Sequence, residues 1–408
     1  MNLSSRSWYK WFILGIFWLN FFLSSGSWLF PLSIKYDIIF NGIYLSDIQR
    51  SLLLTLPMIG LVAMAFFSGL LIDKIGVRKS AIISFLIIII FGFLRGLSVN
   101  FVMLSIFLII FGMGIGIILS LPAKLISEWF PEKQYSTSHG IATMASGLGI
   151  FVFELINKPL FYENLFPFFG NNAWRVNFFL YSFLSLIGLV FWIIFSKDKP
   201  IIEPNDTKRI NLVQGIKGSI KNKQIILLCI LNIGVLSSYF GAKHFISEIL
   251  GIKSIPSTDI FIIISIMSLG AMFGNIIMPK MADHYEKRKI FIFEGITLTA
   301  IFIILCGVLI DFIISEIIFL FLLGFSIGTV IPLISASVLV NVDKKHVATA
   351  MGLVIFFGNL GALILPNLFE IYAQTEFTYF ISLLFFAIIA FIGTISAIFL
   401  NEPKKKMN

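Results

Sequence analysis

The sequence has few of the residues that carry most enzyme chemistry. Its 408 residues include two cysteines and four histidines. Cys229 and Cys306 lie in separate apolar stretches, so we expect small core residues there rather than a disulfide, redox or metal site. No glycine-rich phosphate loop of the Walker type occurs. We therefore predict that the chain is not an enzyme, has no catalytic residues, uses no metal or cofactor, and is not by itself an ATP-driven pump.

Charge is also scarce. Charged residues make up 12% of the chain and hydrophobic residues 58%, including 46 phenylalanines, which is more apolar than a soluble domain of this length. The formal net charge of +9 would suit nucleic acid, but the basic residues lie in short segments between apolar runs, which membrane topology explains. The composition predicts an integral membrane protein. Its expected partners are the lipid bilayer and a small solute, and we do not expect it to bind nucleic acid.

Twelve apolar runs are long enough to span a bilayer. They lie at about 9–30, 47–72, 80–98, 101–126, 136–158, 174–196, 223–250, 258–281, 289–310, 316–341, 346–369 and 377–400. Lysine and arginine alternate between rich and poor segments, and the positive-inside rule predicts a multi-pass cell-membrane protein with both termini in the cytoplasm. The polar stretch 197–222 predicts a cytoplasmic linker between six-helix bundles at 1–196 and 223–408. We expect an all-α monomer.

Two loops carry the same signature half a chain apart. The first is Gly69–Lys79, GLLIDKIGVRK, and the second is residues 279–289, PKMADHYEKRK. Asp73 and Asp283 are 210 residues apart, and a trailing pair of basic residues follows each. A shared separation of this kind indicates a duplicated unit. The two predicted bundles would therefore be copies of one six-helix unit.

The first loop resembles the loop between helices two and three of the major facilitator superfamily, Gly-x-x-x-Asp-(Arg/Lys)-x-Gly-x-(Arg/Lys)-(Arg/Lys). It lies between the second and third runs, and its partial copy lies between the eighth and ninth. The resemblance implies two pseudo-symmetric six-helix bundles and a secondary carrier that works by alternating access. It also implies a conformational latch at the two loops, made by Gly69, Asp73, Gly76, Arg78, Lys79, Asp283 and Arg288.

The stretch from Leu121 to Gly149 is similar to the fourth-to-fifth helix region of cyanate-permease-like carriers and of the haem/choline carrier branch. Leu108 stands where drug/proton antiporters usually carry arginine, and no proline follows Gly147 and Gly149 before Pro159. The arginines of nitrate carriers in mid-helix two and mid-helix eight are also absent. Drug/proton antiport and a nitrate site are disfavoured, and the branch stays open.

Polar residues within the apolar runs are candidate solute contacts, because such groups are costly in a membrane unless they face protein or water. Helical periodicity places Asn232, Tyr239 and Lys243 on one face of the seventh run. The predicted pathway residues are Asn20, Ser24, Trp28, Arg95, Asn232, Tyr239 and Lys243. Arg95 and Lys243 each have a second interpretation, as long basic side chains that reach the membrane interface. Glu154 is either a coupling residue or an interhelical pairing residue.

The expected substrate follows from the charges on this pathway. Arg95 and Lys243 are basic while Glu154 is the main acidic candidate, which predicts a symporter or uniporter of a small organic or inorganic anion, with a proton or sodium as the candidate coupling ion. The alternative is a small amine or quaternary, choline-like cation in an aromatic cage containing Trp28 and Tyr239. A non-transporting membrane sensor is a third class, which the short loops disfavour because they leave no room for an output domain.

Overall fold

The computed structural model describes residues 8–33, 38–40, 43–156, 172–197, 212–309, 313–373 and 375–401. Within these residues two antiparallel strands of two residues each, β1 (Ile39–Phe40) and β2 (Ile43–Tyr44), precede the second helix. The α-helices are α1 (Tyr9–Ser33), α2 (Asp47–Ile75), α3 (Val77–Gly96), α4 (Phe101–Trp129), α5 (Tyr135–Ile156), α6 (Ala173–Phe195), α7 (Leu212–Lys221), α8 (Lys223–Ile252), α9 (Ser257–Tyr285), α10 (Arg288–Val308), α11 (Ile313–Asn341), α12 (Val347–Glu370) and α13 (Glu376–Ile398).

The long helices match the twelve predicted runs, with ends that differ by at most about four residues. Eleven of them are long and apolar enough to cross a membrane, and α5 is the twelfth long helix. Helix α5 is less apolar because its first half carries small and polar residues. The prediction of an all-α membrane fold is confirmed. Helix α7 was not predicted, because it is short and rich in lysine; it lies inside the predicted linker 197–222, whose bounds stay a prediction.

The two bundles use the same packing scheme. In the first, α1 packs against α5 and α6, while α3 and α2 pack against α4. In the second, α8 packs against α12 and α13, while α10 and α9 pack against α11. The bundles meet where α2 packs on α12 and α5 packs on α9. These contacts are equivalent under the duplication, so the interface has the same pseudo-symmetry as the bundles it joins.

Glycines allow the closest helix contacts within each bundle. A Cβ atom on Gly112 of α4 would overlap the carbonyl oxygen of Pro57 in α2. A Cβ atom on Gly324 of α11 would likewise overlap the carbonyl oxygen of Met267 in α9. Small residues let membrane helices approach closely. Because the hydrophobic effect does not drive helices together in lipid, van der Waals contacts at such close approaches stabilise the bundle instead. Equivalent glycines therefore set the spacing of equivalent helices.

Replacing Gly324 by alanine should destabilise the second bundle. The added methyl group forces α9 and α11 apart, and overpacking of this kind costs about 1–3 kcal/mol. The midpoint Tm of the purified protein should fall. Gly15→Ala in α1 is the matched control, since a Cβ atom there has no heavy-atom neighbour within 4 Å. Equal Tm values for the two variants would show that the α9 and α11 contact is not tight.

Candidate functional site

A cavity of about 150 Å³ lies between the two bundles. Helices α1, α4 and α5 of the first bundle and α8, α9, α11 and α12 of the second line it. Its walls are mostly aliphatic and aromatic, with a few polar groups, as is usual for small-molecule sites. The polar lining residues are His139, Thr143, Ser146, Asn232, Tyr239, Asn275, Ser335 and Asn359. A solute in this cavity would contact both bundles at once.

Helix α8 contributes two of the predicted pathway residues to the cavity. The Asn232 side chain lines it and donates a hydrogen bond from Nδ2 to the carbonyl oxygen of Val354 in α12, at 2.9 Å. The Tyr239 hydroxyl lies 3.4 Å from the hydroxyl of Ser268 in α9. Lys243, one turn beyond Tyr239, is half-buried, and the described lining does not include it.

The three predicted pathway residues of α1, which are Asn20, Ser24 and Trp28, lie in two different environments. Trp28 lines the cavity, with its ring centroid 6.2 Å from that of Phe240. Asn20 instead donates to the carbonyl oxygens of Ile16 and of Gly188 in α6, at 3.0 and 3.1 Å. The Ser24 hydroxyl donates to the Asn20 carbonyl oxygen at 2.7 Å. Asn20 and Ser24 therefore make contacts inside the first bundle, and Trp28 alone of the three faces the cavity.

Arg95 lies in the core of the first bundle. It is 0% exposed, and its guanidinium donates to the carbonyl and hydroxyl oxygens of Ser27 at 3.1 and 2.7 Å. Its Cζ atom lies 3.7 Å from the ring centroid of Phe111 and 4.6 Å from that of Phe178. Two aromatic faces and two acceptors offset part of the cost of burying the cation. Arg95 is therefore at neither predicted position, the cavity or the membrane interface.

His139 is a cavity residue that sequence reasoning missed. It is 2% exposed, and neither ring nitrogen has a hydrogen-bond partner among the described residues. One turn later, the Thr143 hydroxyl donates to Oδ1 of Asn275 in α9, at 2.8 Å. A buried polar group without a partner calls for an explanation, and an imidazole that faces a cavity can bind a solute or carry a proton. The available signal was the spacing of His139 and Thr143, which places both on one helical face.

Glu154 belongs to α5, but its side chain lies outside the described residues. Its predicted role in coupling or pairing stays a prediction.

A carboxylate from the first loop joins the two bundles at one end of the molecule. This is the end of the molecule at which α1 begins and α13 ends, here called the termini face. The buried Asp73 side chain accepts hydrogen bonds from the backbone nitrogen and hydroxyl of Thr349, at 2.8 and 2.7 Å, and from Nζ of Lys124 at 2.9 Å. Thr349 lies in the first turn of α12. Asp73 thus joins the first bundle to a helix N-terminus of the second, where a negative charge is favourable.

The second loop makes the reciprocal contact. Asp283 accepts hydrogen bonds from the backbone nitrogen and hydroxyl of Thr137, in the first turn of α5, at 2.7 and 2.8 Å. Arg288 lies 3.4 Å from the same carboxylate, and its Nε donates to the Ser136 hydroxyl at 3.0 Å. We call these two contacts the reciprocal clamps. Their basic partners differ, because Lys124 comes from α4 whereas Arg288 belongs to the second loop itself, at the start of α10.

The other predicted latch residues have separate tasks. Gly69 lies so close to α12 that a Cβ atom would overlap the carbonyl oxygen of Ala348. Gly76 joins α2 to α3 with a φ of 86°, a conformation that glycine adopts without strain. Arg78 donates from Nη2 to the carbonyl oxygen of Ile193 in α6, at 2.9 Å, and Lys79 is exposed. Gly69 and Asp73 therefore contact the opposite bundle, while Gly76 and Arg78 shape their own.

Replacing Asp73 by asparagine should favour opening of the termini face. Hydrogen bonds to a charged group contribute about 1.5–3 kcal/mol each, so losing the charge shifts the equilibrium roughly tenfold to a hundredfold. A water-soluble maleimide should then modify a cysteine at the lining position Met351 faster, in a background without Cys229 and Cys306. Uptake should fall with little change in solute affinity. Asp259→Asn, at the exposed start of α9, is the control. An unchanged rate in Asp73→Asn would contradict the role of the clamp.

The sequence matches a family of membrane transporters, and the structure is similar to solved structures of transporters. A family model described as Major Facilitator Superfamily matches residues 16–366, with a second match over 225–408. The structure is similar to the fucose:proton symporter FucP of E. coli, with a TM-score of 0.78 to its outward conformation and 10% identity, covering 98% of this chain and 100% of that one. Human MFSD10, an organic anion transporter, gives a TM-score of 0.74 at 13% identity, covering 95% and 99%.

A relative in sequence is an uncharacterised protein of Archaeoglobus fulgidus. It is 22% identical over 206 residues, which are 50% of this chain and 91% of the relative. At these identities the two solved structures show a shared fold, and the family match covers most of the chain.

Proposed function

Since this chain belongs to the major facilitator superfamily, we propose that its central cavity binds a small organic solute, which the protein carries across a membrane by alternating access. The superfamily consists of secondary transporters rather than enzymes, and the chain is a multi-pass membrane protein. The observation that carries the proposal is a cavity with walls from both bundles, in a structure whose bundles are joined at the termini face by the reciprocal clamps. When the bundles rock and the clamps separate, the same cavity opens to the termini face.

The lining favours an organic solute over an inorganic ion. Phe21, Trp28, Tyr239 and Phe240 supply aromatic surface, and most of the remaining wall is aliphatic. An inorganic ion would lose its hydration there and find few polar groups in exchange, which is costly. A molecule with an apolar body and one polar end fits both kinds of surface. The proposal thereby narrows the predicted anion to an organic one.

An organic anion is the preferred charge class, and His139 supports it. Asp and Glu are absent from the described lining, so a protonated His139 has no competing counter-charge there. An anion bound beside the imidazole favours its protonated form, and release of the anion favours release of the proton. Such a site couples solute and proton movement. Proton symport by FucP and organic anion transport by MFSD10 are properties of those proteins, and they agree with this proposal.

A small amine or quaternary cation is the second candidate. Trp28 and Tyr239 both lie near Phe240, with ring centroids at 6.2 and 5.1 Å from that of Phe240. Aromatic faces attract cations, most strongly where water is excluded. Glu154 would be the counter-charge in this case, as the sequence suggested. The aromatic group is the observation that keeps this candidate.

The orientation in the membrane is part of the proposal. Basic residues lie in the loops of the termini face, so we place that face in the cytoplasm of the cell membrane, by the positive-inside rule. The closed clamps then correspond to a state that is shut toward the cytoplasm. The monomeric state stays a prediction.

Replacing His139 by glutamine should separate the two charge classes. In proteoliposomes, uptake of a carboxylate found by a thermal-shift screen should fall at least tenfold and lose any dependence on pH that the parent protein shows, because glutamine cannot be protonated. Amines matched in shape, such as benzylamine to benzoate, should bind as before. His284→Gln, an exposed histidine outside the cavity, is the control. Retained carboxylate affinity with an unchanged pH profile would overturn the role of His139.

Arg95→Gln should affect stability rather than solute affinity. The variant loses charged hydrogen bonds to Ser27, worth about 1.5–3 kcal/mol, together with the contacts to two aromatic rings. The Tm should fall, while the dissociation constant of the carboxylate changes by less than about threefold, well under 1.4 kcal/mol. Lys243→Gln provides the comparison at the other predicted basic residue. A tenfold loss of carboxylate affinity in either variant would return that residue to the solute site.

A further inference from the structure

A second cavity, of about 370 Å³, lies at the junction of the two bundles, away from the central cavity. It runs beside the first turns of α8, from Ile225 to Ile233, a distance of about 12 Å along the helix. Helices α2, α7 and α12 complete its walls. Ser219 is the polar residue among its described lining, and its hydroxyl donates to the carbonyl oxygen of Gly215. We call this cavity the seam groove.

The seam groove opens toward the surrounding lipid. Ile226, Ile230 and Phe357 line it and are 45%, 37% and 40% exposed. These residues lie on helices that are long and apolar enough to cross the membrane. Their exposed surface therefore faces hydrocarbon rather than water. An apolar groove at this depth gains dispersion contacts when an acyl chain fills it.

Helix α7 places positive charge at the mouth of the groove. Its sequence, LVQGIKGSIK, has no acidic residue, and Lys217 and Lys221 are exposed. Ile220 of the same helix lines the groove, and the exposed Lys223 begins α8, with one residue between the two helices. A short amphipathic helix with basic residues on its polar face is typical of the membrane interface. Three lysines thus stand at headgroup level beside an apolar groove.

We propose that the seam groove binds an anionic phospholipid from the leaflet at the termini face. One acyl chain lies along α8 between Ile225 and Ile233, and the phosphate is held by Lys217, Lys221 and Lys223. The charge of the mouth selects the headgroup, since basic residues at an interface attract anionic lipids. The apolar wall selects a molecule with a chain over a soluble phosphate. This site is separate from the solute cavity and does not depend on the identity of the solute.

The bound lipid would favour one conformation of the carrier. Phe66 of α2 and Phe356 of α12 both line the groove, and their ring centroids lie 5.9 Å apart across the junction of the bundles. Movement of α2 away from α12 would divide the groove between the two halves. A ligand shifts an equilibrium by its difference in affinity for the two states. The lipid should therefore stabilise the state in which the reciprocal clamps are closed.

The headgroup half of the proposal is tested by thermal shift in a neutral detergent. Phosphatidylglycerol should raise Tm at a concentration at least fivefold below that needed for phosphatidylcholine with the same acyl chains. Lys217, Lys221 and Lys223 replaced together by glutamine should remove this preference. Replacing Lys133, Lys280 and Lys287, three exposed lysines elsewhere at the termini face, should preserve it. Equal effects of the two lipids, or a preference that survives in the α7 and α8 variant, would overturn the proposal.

The groove half is tested by filling it. Ile230→Trp should remove stabilisation by phosphatidylglycerol, whereas Ile230→Leu should retain it; Ile226→Trp serves if Ile230→Trp does not fold. Glycerol phosphate, the headgroup without chains, should not raise Tm at the same concentrations. Stabilisation by glycerol phosphate equal to that by the lipid would show an anion site that does not use the groove. A lipid-free dimer that Ile230→Trp disrupts would assign the groove to a second copy of the chain and overturn the lipid proposal.

Discussion

Buried carboxylates that bind helix N-termini across the bundle interface hold this structure in one conformation. Asp73 and Asp283 each accept from a backbone nitrogen and a hydroxyl in the first turn of a helix that belongs to the other bundle. The donors and acceptors belong to different rigid bodies, so the hydrogen bonds exist only while the bundles are together at the termini face. In the proposed mechanism, the cavity opens toward the termini face only when these hydrogen bonds break.

The duplication makes the two clamps equivalent in position without making them identical in chemistry. Lys124 contacts Asp73 from α4, whereas Arg288 contacts Asp283 from within the same loop segment, at the start of α10. Arg78, which occupies the position of Arg288 in the first copy, contacts α6 instead. The basic residue that stabilises each carboxylate thus comes from a different segment of its bundle. The two clamps can differ in strength, although the helices they join are related by the same pseudo-symmetry.

The site between the bundles is apolar and carries little charge, and this decides which residues can matter for the solute. Arg95, the most deeply buried cation of the predicted pathway, is held by Ser27 and two aromatic rings inside one bundle. His139 faces the cavity, and its ring nitrogens have no hydrogen-bond partner among the described residues. In the proposed function, selectivity for the charge of the solute therefore rests on an imidazole and aromatic faces. The lysines of α7 lie outside this cavity, and the ligand proposed for them is the phosphate of an anionic lipid at the membrane interface.

The sequence alone determined the helices and the duplication. Backbone groups in a bilayer must be paired within their own segment, so apolar runs of spanning length become helices with bounds close to those predicted. The clamp residues Asp73 and Asp283 were also predicted, because a local motif repeated at a fixed separation identifies them. Helical periodicity likewise grouped Asn232 with Tyr239, and both line the cavity.

Only the tertiary structure decided where the other polar side chains point. Periodicity defines a face but not the neighbour that the face meets. Asn20 and Trp28 share a helix, yet Gly188 on α6 leaves room for the Asn20 amide while Trp28 turns to the cavity. His139 lies on α5, and the cavity that it faces takes part of its walls from α9 and α11 of the other bundle. Contacts between distant segments depend on how the helices pack, and the spacing of residues within one helix does not specify which other helix packs against it.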